Sequence, residues 1–170
     1  MKQVVVRVER EADQAAVFAI NTAAFETDAE AKLVDALRAV VKPYVSLVAE
    51  IEEVVVGHIL FTPVTLEGHP NRFLMGLAPM AVAPENQRQG IGAALIRAGL
   101  DACREHDVGG VVVLGHPEYY PRFGFMPSSR LGIRSTYDVP EEVFMAQELV
   151  PGYLDGASGV VHYHGTFNGL

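Results

Sequence analysis

The spacing of apolar residues predicts one strand and two helices at the start of the chain. Residues 4–8 are rich in valine, which favours a strand. Over residues 9–25 a stripe that includes Asp13 recurs at helical spacing, and residues 28–41 repeat the pattern. Pro43 follows the second stretch and is expected to end it.

Extended apolar runs then predict three strands, at residues 45–51, 54–66 and 73–82. Pro79 lies inside the third run and removes one backbone donor, so we expect a bulge or a sheet edge there. A polar loop over residues 83–92 leads into a third helix.

The second half of the chain predicts more strands and little helix. Residues 111–114 are fully apolar, as in a buried strand of a largely parallel region. Residues 116–123 predict a short helix or turn, and strands are expected near residues 144–150 and 160–163. This order predicts a mixed α/β domain with a partly antiparallel sheet, since it lacks the regular alternation of doubly wound nucleotide-binding folds. We expect all 170 residues to form one domain.

Composition narrows the function classes. The formal net charge is -8, and an acidic chain repels phosphate backbones, which disfavours nucleic acid as a partner. The chain has one cysteine, Cys103, so neither a disulfide framework nor a cysteine zinc site is expected. The N-terminal apolar run is too short for a signal peptide, and no run approaches the roughly 20 residues of a membrane helix. These features predict a cytoplasmic protein.

The glycine-bearing loop before the third helix is the first candidate site. A helix N-terminus offers unpaired amides and a partial positive charge, and glycine lets the backbone approach a ligand closely. Together they favour a pyrophosphate cradle, although an ordinary loop entering an amphipathic helix has the same spacing. The Walker pattern is absent. The dinucleotide fingerprint fails because Leu95 occupies its third glycine position.

Residues 81–93 resemble the signature of the GNAT acetyltransferases, in which an apolar strand end precedes Q/R-x-x-G-x-G/A at a helix start. The signature positions are filled by Gln87, Gly90 and Gly92. Residues 119–125 resemble the Y-x-x-x-G-F element of the same family. Over residues 4–127 the chain is similar to the YhbS-like branch of these proteins.

The resemblance implies the GNAT acyl-CoA N-acyltransferase fold, with a central mixed, splayed sheet flanked by helices. It implies acetyl-CoA as cosubstrate and no metal. Pantetheine is expected between the strands at residues 73–82 and 110–115, on the backbone of Met80, Ala81 and Val82. The pyrophosphate is expected on the amides of Gln87, Arg88, Gln89, Gly90, Ile91, Gly92 and Ala93.

The resemblance also assigns a general acid. Tyr120 stands four residues before Gly124, where the family has the tyrosine that contacts the cofactor and protonates the leaving thiolate. A thiol has a pKa of about 8.5, so a phenol can supply that proton. A backbone amide near Val82 is expected to stabilise the oxyanion. Without the motif, Tyr120 reads as a buried aromatic residue that packs on the sheet.

The base and one cofactor contact are less defined. Many family members have an asparagine before this tyrosine; here His116 stands in that stretch, and we place it in the cofactor site. The base candidates are Glu26, Glu85, His116 and Glu118. We favour Glu26, because it ends the first helix, where family members often shape the acceptor pocket.

Three histidines, His58, His162 and His164, suggest a metal site only weakly, because the sequence offers them no evident acidic or cysteine partner.

From the two motifs we predict an N-acetyltransferase that uses acetyl-CoA and a primary amine on a small molecule or peptide. A non-catalytic acyl-CoA-binding or sensor module, and an α/β domain without a CoA site, stay open as alternatives. A homodimer is expected because GNAT relatives are often dimers.

Overall fold

The computed structural model describes residues 3–169. Met1, Lys2 and Leu170, which the expected single domain includes, lie outside the described residues. The chain forms two compact units. The first contains the described residues up to Thr62, Ala78–Asp101 and the segment from Gly165 onward; the second contains Pro63–Leu77 and Ala102–His164. A single domain over residues 1–170 stays a prediction.

The first unit contains an antiparallel arrangement and two helices. Its first two strands are β1 (Val4–Val8) and β2 (Val45–Ile51), with Val6 opposite Ala49. Strand β3 (Val54–Leu66) begins in this unit and is antiparallel to β2. Between β1 and β2 lie α1 (Gln14–Phe25) and α2 (Ala29–Val40), which pack against each other. Strand β4 (Leu74–Val82) ends in this unit, and α3 (Ile91–Glu105) begins there.

Helix α1 starts later than its sequence pattern predicts. Residues Glu11–Asp13 form a separate 3-10 turn, and the helix begins at Gln14. Asp13 is buried, as predicted, but as an ion pair: its carboxylate accepts hydrogen bonds from Arg7 at 2.8 and 2.9 Å and from the amide of Arg10 at 2.7 Å. These bonds hold the backbone in a turn ahead of the helix.

The second unit contains both parallel and antiparallel pairs. The first residues of β4 run parallel to β5 (Gly110–Leu114), from Leu74 opposite Gly110 to Leu77 opposite Val113. Strand β8 (Phe144–Glu148) is antiparallel to β5 and to the short β6 (Met126–Pro127). Strand β9 (Gly159–His162) is antiparallel to the end of β3 and parallel to β7 (Ile133–Ser135).

The second unit has its own hydrophobic core. The buried members come from six strands and from the chain between β8 and β9. They are Val64, Leu66, Leu74, Val112, Ile133, Phe144, Ala146, Leu154, Ala157 and Val161. The unit therefore fixes the position of β5 and of the chain that leaves it.

The predicted mixed α/β class with a partly antiparallel sheet is confirmed. The strands at residues 4–8, 45–51 and 54–66 have the predicted bounds, and the others differ at their ends by one or two residues. Strands β6 and β7 are short and were not predicted, because two or three residues show no alternation.

Candidate active site

The loop before α3 has the backbone geometry of an anion cradle. After a 3-10 turn at Pro84–Asn86, the left-handed residues Arg88 (φ 65°) and Gly90 (φ 82°) stand on either side of Gln89. Tight turns of this kind can direct successive backbone amides to one side and form a concavity that binds anions. Arginine adopts a left-handed conformation at a cost, and such strained residues concentrate at functional sites.

The N-terminus of α3 adds unpaired donors to this loop. The amide of Ala94 donates to the carbonyl of Gly90 at 3.1 Å, which closes the first turn of the helix. The amides of Ile91, Gly92 and Ala93 therefore have no carbonyl four residues before them inside the helix. The first turn carries no acidic residue, so the positive end of the helix dipole is not neutralised there.

The loop is also open to a ligand. A Cβ atom at Gly90 would meet no atom within 4 Å, and the side chain of Arg88 is exposed. An exposed guanidinium beside unpaired amides suits a phosphate group, which accepts several hydrogen bonds and carries negative charge. The residues present therefore fit the pyrophosphate of coenzyme A.

Gln87 makes two hydrogen bonds within the loop, and its predicted place in the cofactor site stays a prediction. Its Nε2 donates to the carbonyl of Val82 at 3.0 Å, and its own amide donates to Pro84 at 3.4 Å. The side chain thus ties the loop to the end of β4. Because the amide of Gln87 already has a partner, the free donors of the cradle begin at Arg88.

The end of β4 alternates as a strand should. Ala81 is buried, whereas Met80 and Val82 are half-buried and project from the opposite side. The amide of Ala83 donates to the carbonyl of Val56 at 2.8 Å, which fixes the strand end against β3. A role for Met80 and Val82 in pairing with pantetheine stays a prediction, as does the splay of the sheet.

Tyr120 lies in the second unit, at the start of a 3-10 turn that spans Tyr120–Phe123. The turn ends at Gly124, whose φ of 97° is left-handed. The ring of Tyr120 makes edge-to-face contacts with Tyr119 and Phe125, at centroid distances of 5.2 and 5.8 Å. It also lies against Gly115, where a Cβ atom would come within 2.3 Å of the ring. The backbone and two aromatic neighbours therefore hold the ring in place.

The phenol of Tyr120 is protonated near neutral pH. The residue is only 8% exposed, and burial raises the pKa of its phenol to about 12. The hydroxyl is thus fully protonated near neutral pH. This state is the one that a general acid needs.

Two of the four base candidates lie beside this turn. His116 and Glu118 are exposed and line a surface pocket of about 300 Å³, and the amide of Tyr120 donates to the carbonyl of His116 at 3.4 Å. Glu26 and Glu85 are exposed residues of the first unit, and Glu26 has a left-handed φ of 64° at the end of α1. The identity of the base stays a prediction.

His58 has a structural environment in the first unit. It is fully buried, and its Nε2 lies 2.9 Å from the Oγ of Ser46, which in turn donates to Glu9 at 2.9 Å. Arg38 donates two hydrogen bonds to the same carboxylate. His58 is thus part of a buried polar chain.

His162 and Cys103 also have environments that involve no metal among the described residues. His162 pairs with Glu67 at 2.9 Å on the surface. Within residues 3–169, no group of three or more histidine, cysteine, aspartate or glutamate side chains is placed to bind a metal. Cys103 is fully buried, and burial raises the pKa of its thiol to about 12. In the same part of the chain, no helix combines the length and the apolar character needed to cross a membrane.

Two residues near Tyr120 were missed from the sequence. Gly115 contacts the ring, and Gln147 on β8 contacts the turn at Gly124. Each has a weak signal: Gly115 directly follows an apolar strand, and Gln147 is the polar residue that interrupts the apolar start of another.

Comparison with known proteins identifies the same family as the signature residues. The model of the acetyltransferase (GNAT) domain family matches residues 5–128. The N-acetyltransferase YhbS of Escherichia coli K12, itself uncharacterized, is 37% identical over 164 residues, which are 96% of this chain and 98% of YhbS.

Two crystal structures are similar over nearly the whole chain. One is YhbS from Escherichia coli in complex with CoA, with a TM-score of 0.91 and 35% identity over 99% of this chain and 93% of that one. The other is a GNAT family acetyltransferase from Brucella melitensis in complex with acetyl-CoA, with a TM-score of 0.80 and 35% identity over 98% and 99% of the two chains. The predicted resemblance and the GNAT fold are confirmed, and the chain belongs to the GNAT family of acetyltransferases.

Proposed function

We propose that this protein transfers an acetyl group from acetyl-CoA to a primary amine by direct attack on the thioester. The observation that carries the proposal is the cradle, where two left-handed residues, one of them the exposed Arg88, precede an uncapped helix N-terminus. The complexes of two relatives with CoA and acetyl-CoA support the choice of cosubstrate.

In the proposed reaction the neutral amine attacks the carbonyl carbon of the thioester, and a tetrahedral oxyanion forms. A backbone amide near Val82 stabilises the oxyanion. The carbon–sulfur bond then breaks, and Tyr120 gives its phenolic proton to the thiolate. The amine loses one proton to a base, for which Glu26, Glu85, His116 and Glu118 are the candidates.

Cofactor binding is tested with a matched pair of glycine variants. Gly90 and Gly68 have similar positive φ angles, 82° and 84°, and at both positions a Cβ atom would meet nothing within 4 Å. Gly90→Ala and Gly68→Ala therefore introduce the same backbone strain, of about 1–2 kcal/mol. Only the first lies in the cradle.

We expect calorimetric titration with acetyl-CoA to show micromolar binding to wild type and to Gly68→Ala. Gly90→Ala is expected to bind at least tenfold more weakly, because the added methyl group obstructs the approach of the phosphates. NAD serves as the negative control. Equal binding by both variants, or no binding by wild type, would contradict the proposed cradle.

Turnover is tested with acetyl-CoA and a panel of primary amines: spermidine, lysine, glucosamine, an aminoglycoside and a short peptide. We expect Tyr120→Phe to lower kcat by about 10²- to 10⁴-fold, the usual contribution of a general acid, while the affinity for acetyl-CoA is retained. Binding without turnover across the panel would instead favour the non-catalytic acyl-CoA-binding or sensor module.

The acceptor, assembly and location are further parts of the proposal. The net charge of -8 favours a cationic acceptor such as a small-molecule or peptide amine over a nucleic acid. The unpaired, buried Cys103 is compatible with a reducing, cytoplasmic location. A homodimer is proposed because GNAT relatives are often dimers. Light scattering of the purified protein tests this proposal.

A further inference from the structure

We propose that Gln147 is a positioning residue for Tyr120, because its side-chain amide fixes the end of the turn that carries the phenol. The inference rests on the proposed function, in which Tyr120 is the general acid.

Gln147 reaches the turn from a strand that is held on both sides. On β8 it stands opposite Val111 of β5, and its neighbours Met145 and Ala146 pair with β6. The side chain is buried, with only 8% of the residue exposed. Its Nε2 donates a hydrogen bond to the carbonyl of Phe123, the last residue of the turn.

The contact with the turn is tight. A Cβ atom at Gly124 would lie 2.0 Å from the Nε2 of Gln147, so the amide occupies the space beside a residue that has no side chain. The φ of 97° at Gly124 also favours glycine. The turn thus ends at a residue whose conformation and lack of a side chain both admit the Gln147 amide.

The choice of glutamine is costly for stability. Its Oε1 is buried, and none of the described residues gives it a hydrogen-bond partner. A buried acceptor without a partner destabilises a fold, whereas an apolar side chain of similar size would remove both that acceptor and the donor to the Phe123 carbonyl. The contribution of the amide at this position is therefore its hydrogen bond to the end of the turn.

The position of the phenol depends on this hydrogen bond. The turn spans only four residues, from Tyr120 to Phe123, so a shift at its end moves its start. At the other side the Tyr120 ring rests on the backbone of Gly115. Displacement of a reacting group by about 1 Å can reduce a rate by about 100-fold.

The test uses Gln147→Met, which keeps the approximate size and removes the donor, and Gln147→Glu, which keeps the shape. Ser128→Ala is the matched control. Ser128 is also buried in the second unit, and its Oγ donates to the carbonyl of Ile133 at 2.7 Å. This control removes the same kind of hydrogen bond from a segment that does not contain Tyr120.

Release of CoA thiol from acetyl-CoA is measured with whichever amine of the panel wild type acetylates fastest. We expect Gln147→Met to lower kcat about 10- to 100-fold while the Kd for acetyl-CoA changes less than about twofold. In Gln147→Glu, burial raises the pKa of the new carboxyl group, which becomes a donor once protonated. Its deficit in kcat should therefore shrink as the pH is lowered, and that of Gln147→Met should not. Ser128→Ala should retain the wild-type kcat.

A double-mutant cycle with Tyr120→Phe decides the route of the effect. If Gln147 acts through the phenol, Gln147→Met lowers kcat no further in the Tyr120→Phe background. An equal loss in both backgrounds, or wild-type kcat in Gln147→Met and Gln147→Glu, would overturn the inference and leave the proposed function standing. Unchanged kcat in Tyr120→Phe, or no turnover by wild type, would overturn both.

Discussion

Acidification should destabilise the fold through His58. The Oγ of Ser46 donates its proton to Glu9, so at the 2.9 Å contact the Nε2 of His58 is the donor to Ser46. The Nδ1 then carries the lone pair, and it is buried without a partner among the described residues. A second proton would charge a fully buried ring and create a donor with no acceptor. Burial accordingly lowers the pKa of His58 from 6.5 to about 4.

The size and direction of the effect follow from that difference. The unfolded chain binds a proton at its ordinary pKa of 6.5, whereas the folded chain resists protonation until about pH 4. The stability is therefore fully present above pH 6.5 and is lost as the pH falls from 6.5 toward 4. Since one pKa unit corresponds to about 1.4 kcal/mol, the complete loss is about 3 kcal/mol, of which about 2 kcal/mol is lost by pH 5.

Urea unfolding at pH 8 and pH 5 measures the effect. We compare wild type with His58→Gln, in which a neutral amide can donate to Ser46, and with His106→Gln, which removes an exposed histidine. Between the two pH values, wild type and His106→Gln should lose about 2 kcal/mol more than His58→Gln. Asp13 does not contribute over this pH range, because its ordinary pKa of 3.8 and its folded pKa, which the hydrogen bonds from Arg7 lower to about 2, both lie below pH 5. The same loss in all three proteins would refute the reasoning.

Three further predictions concern packing, a turn and the proposed acid. Gly99→Ala should lower the free energy of unfolding by about 1–3 kcal/mol, because the new Cβ atom would lie 2.3 Å from the buried ring of Phe61. Thermal unfolding measures this, and an unchanged stability would contradict the described packing. Glu53→Gly should raise the free energy of unfolding by about 0.5–1 kcal/mol, because glycine relieves the strain of a left-handed φ of 67°. Glu53→Ala keeps the Cβ atom and should show no such increase; urea unfolding of both variants measures this. If Tyr120 is the acid, kcat should not fall on the alkaline side up to about pH 10, because burial raises its pKa to about 12; a decline centred near pH 9 would contradict this.

The sequence pattern was sufficient for the long apolar strand β3. Strand β3 has its predicted bounds, because a long apolar run between two turns leaves little freedom in where it ends. The predicted start of α1 was wrong, because the spacing pattern cannot distinguish a buried carboxylate that pairs with Arg7 from an apolar residue on a helical stripe. An ion pair between residues six positions apart leaves no trace in the periodicity of apolar residues.

The candidate site shows the same division. Cradle residues such as Gly90 are consecutive in sequence, so a motif finds them. Gln147 acts on a turn 24 residues earlier in the chain, and only strand pairing brings the two together. The hydrogen bond from Gln87 to Val82 was also not predicted, because it depends on how the loop folds back.

The environment of Cys103 has a practical consequence for enzymology. Because the chain has a single thiol, and that thiol is buried with its pKa raised to about 12, thiol-specific dyes should not react with the native protein on the timescale of an assay. Coloured reagents that detect free CoA should then report product alone, even when enzyme is in excess over acetyl-CoA. Single-turnover measurements can therefore be made without first replacing the cysteine. A new cysteine placed on the surface should be labelled selectively, so that a fluorophore can report acetyl-CoA binding in the otherwise native chain.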